Sequence, residues 1–274
     1  MESCARDALI EFAPGPHKYT CAGESNYISV TTWNHTHFPA FDADAIIKKM
    51  RLDQPTCKYY GQTPEQIKAG WDKNRDEAAQ LGTEMHAAIE RYWLGVGTPT
   101  PPIGSEVEVN KTTAMNETPL SPTSGGCRGA PPIPMFEAFV AAHPDIKPYR
   151  AEWMIFDEDV RLAGSIDFVA KNTDGTLTIY DWKRCKEIKK TNSFGTFALT
   201  ECISHLPDTN YWHYALQLNT YKTILERKYE KKVKEMFLVC LHPAQSTYQV
   251  LKVPVLAQEM ADLFALRQTQ IVRT

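Results

Sequence analysis

Between residues 149 and 183 the chain runs through three β-type segments separated only by tight turns, and that stretch constrains the fold more than any other. Residues 149–157 (YRAEWMIFD), 160–171 (VRLAGSIDFVAK) and 176–183 (TLTIYDWK) are rich in β-branched and aromatic residues. The separators, Asp157-Glu158-Asp159 and Asn172-Thr173-Asp174-Gly175, are turn formers. Connections this short join only antiparallel neighbours, because a parallel pair needs a crossover of about a dozen residues or more. A three-stranded meander is therefore expected at the centre of the fold.

Around it the pattern alternates between helix and strand. Residues 26–32 read as a short strand or the lead-in to a helix, and 43–51 as a short helix. Residues 64–94 carry the strongest helical pattern, with Pro64 suited to the first turn and a break or new N-cap expected at Gly82-Thr83. A short helix at 135–142 stops before Pro144. Beyond the meander come a helix at 208–228 with a solvated end at 227–234, strands at 236–242 and 248–253, and a closing helix at 255–271. This order predicts a mixed α/β domain, with a central, mainly antiparallel or mixed sheet flanked by helices. Residues 1–24, with Pro14-Gly15-Pro16, read as an extended N-terminal arm. Residues 96–134 are so rich in Pro, Gly, Ser and Thr that they read as an exposed insertion within a single domain spanning 25–274.

Bulk composition is that of an ordinary globular protein: 274 residues, 43% hydrophobic, 23% charged, net charge −3. A polyanion would have to be gripped by a local basic patch or through metal, since overall charge offers no attraction. The seven cysteines form no C-x-x-C, which excludes the usual zinc-ribbon and iron–sulfur spacings and fits free thiols in a reducing compartment. No apolar run reaches the roughly 18 residues that a membrane span needs. The N-terminus lacks the basic and apolar regions of a secretory signal, so an intracellular protein is expected.

Chemistry-bearing residues collect on the meander. On the third run Asp181 and Lys183 point the same way as Leu177 and Ile179, since side chains alternate faces along a strand. Taken alone that is a strand end with solvated charges. Yet Asp167 lies five residues before Asn172 and Asp181 six after Gly175, so the hairpin brings two carboxylates together. Like charges in that position call for a cation between them or a shared proton, and a hard divalent ion with oxygen ligands satisfies both carboxylates. Glu152 interrupts an apolar strand, its ordinary role there being a salt bridge to Arg150 or Arg161. His86 stands four residues before Glu90 on one helical face, where packing is the ordinary role for histidine. No HExxH accompanies it, which removes support for a zinc peptidase.

The succession Gly82-Thr83-x-x-His86, strand Glu152, Gly164-Ser165-Ile166-Asp167 and Asp181-Trp182-Lys183, followed by Gln217-x-x-x-Tyr221, resembles the PD-(D/E)XK nuclease superfamily, in particular its RecB-like and lambda-exonuclease-like branch. The resemblance runs over about residues 27–242. Residues 29–50 and 59–83 are similar to nucleases encoded by large eukaryotic DNA viruses. It implies a restriction-endonuclease-like core and hydrolysis of nucleic-acid phosphodiesters with one or two Mg²⁺ or Mn²⁺ ions, and neither zinc nor an iron–sulfur cluster. It further implies that Asp167, Asp181 and the Trp182 carbonyl ligate the metal, with His86 as a nitrogen donor that favours Mn²⁺. Glu152 would bind a second ion or hold water and Lys183, and Lys183 would position the attacking water. Gln217 and Tyr221 would orient the lysine or the strand. Arg184, Lys186, Lys189 and Lys190, and separately Lys48, Lys49 and Arg51, would contact phosphates. DNA is the favoured partner and exonuclease the favoured activity. An RNA endonuclease of cap-snatching type and a non-catalytic nucleic-acid-binding member are the alternatives. The presence of every acid and of Lys183 argues against the last. A viral member would work in the cytoplasm or nucleus of its host cell, with no membrane partner. Oligomeric state is not legible.

Overall fold

The computed structural model describes residues 4–95 and 132–272. Most of the Pro/Ser/Thr/Gly-rich stretch expected as an insertion therefore lies outside the described residues. The strands are β1 (Ile10–Ala13), β2 (Lys18–Cys21), β3 (Ile28–Ser29), β4 (Pro148–Asp157), β5 (Leu162–Lys171), β6 (Leu177–Lys183), β7 (Val233–Cys240) and β8 (Gln249–Lys252). The helices are α1 (Val30–His35), α2 (Ala43–Lys48), α3 (Pro64–Trp93), α4 (Ile133–Ala142), α5 (Asn210–Lys228) and α6 (Ala257–Val272).

The meander forms as its turns dictate: β4 and β6 both pair antiparallel with β5. In the β5–β6 turn Gly175 takes φ +82°, and the Asp174 carboxylate accepts the Thr176 N–H. The sheet grows on the β6 side through parallel β7 and then antiparallel β8. On its β6 side β5 is shared between two partners. Residues Phe168 to Lys171 pair with β6, whereas Leu162 and Ala163 pair with the short parallel strand β3. The four residues between, Gly164 to Asp167, pair with neither among the described contacts, so the sheet forks there.

Helices cover both faces. Phe136 and Phe139 of α4 and Met85 and Ile89 of α3 bury against Phe168, Trp182 and Val239. On the other face α1, α5 and α6 place Trp33, Leu216, Ile224 and Leu263 over Ile155, Ile166, Ile179 and Leu238. The result is a mixed α/β layer structure. No helix among the described residues is long and apolar enough to cross a membrane.

Three expectations change. The helix at 64–94 does not break at Gly82-Thr83 but continues from Pro64 to Trp93, begun by a capping box of Thr63 and Gln66. Thr83 is absorbed by donating its hydroxyl to the Ala79 carbonyl one turn back, and the buried Met85, Ala88 and Ile89 offset the helical cost of a glycine, roughly 1 kcal/mol. Residues 4–24 are not an extended arm. A 3-10 turn leads into the β1–β2 hairpin, which buries Ile10, Tyr19 and Cys21 against Phe156 and Ala163. The end of α5, expected to be solvated, grips the β4–β5 turn: Arg227 meets Asp157 at 2.9 Å, and Lys228 meets Asp159 at 2.8 Å and Glu158 at 3.2 Å. Asp157 is fully buried, so this grip is what makes its burial tolerable.

Arg6 joins the same cluster at 2.6 Å from Glu158. Partial burial works against the Glu158 carboxylate, but Arg6 and Lys228 outweigh it and hold its pKa at about 2. A depressed acid stabilises the folded state above its ordinary value of 4.5, and that contribution is lost as pH falls toward about 2. The melting temperatures of wild type and Glu158→Gln should therefore differ at pH 6 and converge between pH about 4.5 and 2. A gap that stays constant across that window in thermal melts would show that the cluster does not stabilise the charged form.

Candidate active site

The rung between β4 and β5 that carries Glu152 and Asp167 is unlike its neighbours. Ala151 pairs with Phe168 and Trp153 with Ile166, in one constant register, yet the rung between them makes no ladder pairing. Glu152 has φ +45°, a conformation that costs a non-glycine residue of order 1–3 kcal/mol. Both strands turn over at this point. Residues two apart on a strand share a face, but Trp153 and Ile166 face α5 while Ala151 and Phe168 face α3 and α4. The two acids are thus carried at a concerted kink, beside the fork in the sheet.

Helix α3 supplies the third group. Its buried Met85 and Ile89 fix the helix on the sheet, and His86 consequently overhangs the kinked rung. His86 Nδ1 lies 3.5 Å from Asp167 Oδ2 and 3.7 Å from Glu152 Oε1. One donor atom from each of the three residues falls within 4.8 Å of the others. Both carboxylates are oriented from behind: the Trp182 N–H donates to Asp167 Oδ2 at 2.8 Å, and the Ser165 hydroxyl donates to Glu152 Oε2 at 3.2 Å.

Electrostatics at the rung favour a cation. Burial disfavours a charged His86, but Asp167 and Glu152 overcome it and lift the imidazole pKa to about 9. Burial likewise raises Asp167, against the pull of His86 and Lys183. Desolvated carboxylates that draw a proton this strongly onto a neighbour attract a divalent ion for the same reason. One imidazole nitrogen with carboxylate oxygens is a donor set that suits Mn²⁺ or Mg²⁺.

Asp181 and Lys183 sit just beyond. Asp181 occupies the position in the β5–β6 register next after Phe168 with Tyr180, which is opposite Asp167, as the hairpin count requires. Its carboxylate is nearly inaccessible and meets the Lys183 ammonium at 2.7 Å. Burial raises Asp181 to about 6, with Lys183 opposing the shift. Burial works to lower Lys183, and the carboxylates of Asp181 and Asp167 reverse that and raise it. The ammonium also lies 4.5 Å above the Tyr214 ring. Asp181 therefore faces Lys183, and the donor trio consists of His86, Glu152 and Asp167.

The Gln217 amide donates to the Tyr221 hydroxyl at 3.0 Å and to Thr31 at 3.4 Å. Tyr221 fills the fork: a Cβ on Gly164 would stand 2.8 Å from its Cε1, so only glycine fits beneath the ring. Trp182 reaches Asp167 through its N–H, which is a different contact from the carbonyl ligand expected of it. After β6 the chain crosses the end of β7, where Cys240 donates to the Cys185 carbonyl at 2.9 Å. There Arg184 is half-buried, and Lys186, Lys189 and Lys190 are exposed, with Lys190 over the Tyr211 ring. Lys48, Lys49 and Arg51 are exposed on α2 and the turn after it, and α2 packs against α3. Ser165, Tyr214 and Thr31 were not singled out by sequence. Ser165 had a signal, since it lies inside the Gly164–Asp167 motif, and Tyr214 lies one helical turn before Gln217.

Residues 55–272 match the family model of the PD-(D/E)XK nuclease superfamily. The chain belongs to that superfamily. Its mixed sheet between helical layers is consistent with the restriction-endonuclease-like core of these nucleases, which use divalent metals. No curated protein matches the chain. Among solved structures it is similar to a Eubacterium rectale protein described as a "putative exonuclease", at 13% identity over 90% of this chain and 79% of that one, with TM-score 0.43. A second, SSO0001, is 14% identical over 52% of this chain, which spans only 58% of that protein, with TM-score 0.28.

Gly164→Ala tests the fork. Overpacking against a ring only 3% exposed should cost roughly 1–3 kcal/mol in a denaturant melt. Adding Tyr221→Leu should return part of that loss. Strictly additive losses in the double variant would mean the close approach is unimportant.

Proposed function

We propose that this protein is a divalent-metal-dependent deoxyribonuclease, an exonuclease, that hydrolyses phosphodiesters at the rung of Glu152 and Asp167. The observation that carries the reading is the convergence of His86, Glu152 and Asp167 within 4.8 Å, beside a lysine held by a buried carboxylate. His86, Glu152 and Asp167 would hold Mn²⁺ or Mg²⁺, and Asp181 adds its charge to the site. A bound ion would lower the pKa of water and neutralise charge on the scissile phosphate.

The protein's own groups do the rest. Trp182 N–H and Ser165 Oγ–H hold the Asp167 and Glu152 carboxylates in orientation, the supporting role on which metal affinity depends. Asp181 and the Tyr214 ring restrict the Lys183 ammonium, so its free N–H bonds serve the attacking water and the phosphate oxygens. Gln217 and Tyr221 brace the fork from behind. Lys186, Lys189 and Lys190 supply exposed charge for phosphates flanking the cut.

The test is incubation with labelled single- and double-stranded DNA and RNA in Mn²⁺, Mg²⁺ or EDTA. DNA shortened progressively from an end with metal, and intact in EDTA, is the expected outcome. Internal cuts in RNA would replace this reading with an RNA endonuclease. Asp167→Asn and His86→Ala should each weaken Mn²⁺ binding by about tenfold or more in calorimetry, and unchanged affinity in both would dismiss the trio as ligands. Lys183→Ala should lower cleavage by about 100-fold or more while retaining Mn²⁺ binding. It also strips buried Asp181 of its partner, so Lys183→Ala/Asp181→Asn should recover melting temperature without recovering cleavage.

A further inference from the structure

Beside the trio a cleft of about 710 Å³ opens between α3 and the β1–β2 hairpin, and the nuclease reading leaves it without a role. His86, Glu152 and Ser165 of the site line it, together with Phe12 and Tyr19 of the hairpin. Among the described residues no lysine or arginine lines it, and the acids that do are Glu90 and Glu152. A phosphate placed there would meet carboxylates and, among the described lining residues, no cation except His86. An uncharged planar group would meet aromatic and small apolar walls. The Phe12 ring stands 4.6 Å from the Tyr19 ring at 38°, and the half-buried Phe12 leaves part of its face open.

Helix α3 contributes an unusual opening. Gly82 lines the cleft in mid-helix, where a Cβ would meet nothing within 4 Å. Glycine weakens a helix interior, and here it leaves room in the cleft that a larger side chain would fill. The next residue, Thr83, spends its hydroxyl proton on the Ala79 carbonyl, so toward the cleft it can only accept. Together with the Glu90 carboxylate that leaves acceptors facing inward, which suits the amino and imino N–H groups of a base edge.

We propose that this cleft is a nucleobase subsite that takes one unpaired base of the strand being cut, with Phe12 and Tyr19 as its aromatic wall. The proposal rests on the nuclease reading and adds a substrate preference to it. A base inside a duplex has both faces stacked and its edge paired, so it reaches the cleft only after leaving the helix. Single strands and frayed ends are therefore the preferred substrates, and the sugar–phosphate chain next to the captured base is delivered to the trio.

Gly82→Leu fills the cleft while improving helix propensity, so loss of function in it is not loss of fold. The full chain, wild type and Gly82→Leu, is given two single-stranded DNAs in Mn²⁺, one with bases and one with abasic tetrahydrofuran residues. Wild type should cleave the base-bearing strand at least tenfold faster, through a lower KM, and Gly82→Leu should bring that ratio toward one. Phe12→Ala should move it in the same direction. A ratio unchanged in both variants overturns the subsite. Binding is read separately in EDTA, from the fluorescence of a strand carrying 2-aminopurine. Quenching by wild type that is lost in Gly82→Leu supports the subsite whether or not cleavage occurs, and equal quenching by both overturns it. Cleavage of neither strand by wild type in Mn²⁺ counts against the nuclease reading alone.

Discussion

Most of what this chain can do depends on one rung of its sheet that does not pair. Where Glu152 and Asp167 face each other, β4 and β5 exchange the faces they present, and their ladder is interrupted while the register on both sides is kept. A regular antiparallel rung would send its side chains into one of the two packed layers. There each acid would lose its hydration and receive only a neighbour of like charge, an arrangement that burial energetics forbid. Turning over at the rung delivers both carboxylates to the gap between layers, where His86 reaches them and a cation could. The strain at Glu152 is tolerated because eight flanking residue pairs hold β4 on β5.

The charges are then distributed by how deeply each is buried. Asp181 is the most enclosed of the three acids at the site, and it is the one provided with a cation close by in the chain, Lys183 two residues on. Breaking such a pair costs far more than its formation contributes, since the survivor is left charged and dry. The same logic governs the β4–β5 turn, where Asp157 is buried under Arg227 and Lys228. Two buried aspartates thus tie the meander to one helix, α5. One pair fastens α5 to the β4–β5 turn, and the other fixes a lysine over Tyr214 of the same helix. Helix α5 is the common support, which is why Gln217 and Tyr221 fall beside the fork.

Much of this was legible in the sequence. Turn chemistry at Asn172–Gly175 gave the β5–β6 register, hence the opposition of Asp167 and Asp181. The acid within apolar residues 149–157 pointed to Glu152. What could not be read is the kink at Glu152. Alternation along a perfect strand cannot foresee it, so the count from the turn reaches Asp181 opposite Asp167 but not the convergence of His86 and Glu152 on Asp167. Gly82-Thr83 misled for a related reason. Both residues are poor helix formers, but the apolar stripe of Met85, Ala88 and Ile89 decides the helix through tertiary burial, which propensity does not contain. The hairpin at residues 10–21 was hidden because its buried residues are few and its partner, Phe156, lies far along the chain.

That hairpin also changes how the site is bounded. Had residues 4–24 been a free arm, Phe12 and Tyr19 would not stand on that side of His86 and Glu152. With Phe12, Tyr19, Gly82 and Thr83 lining the same cleft, His86 and Glu152 instead form part of its wall. On the other side the segment that follows β6 carries the exposed Lys186, Lys189 and Lys190. The surroundings of the site are thus polarised, with lysines on the segment after β6 and no lysine or arginine among the described residues that line the cleft. A nucleic-acid strand is polarised in the same sense, phosphate on one edge and base on the other. The hairpin is in turn tied to the meander by Arg6 on Glu158 and by Asp7 on Arg150 and Trp153. Rigidity at the outer wall of the cleft and at the rung of acids thus has a single source, the β4 strand that carries Glu152.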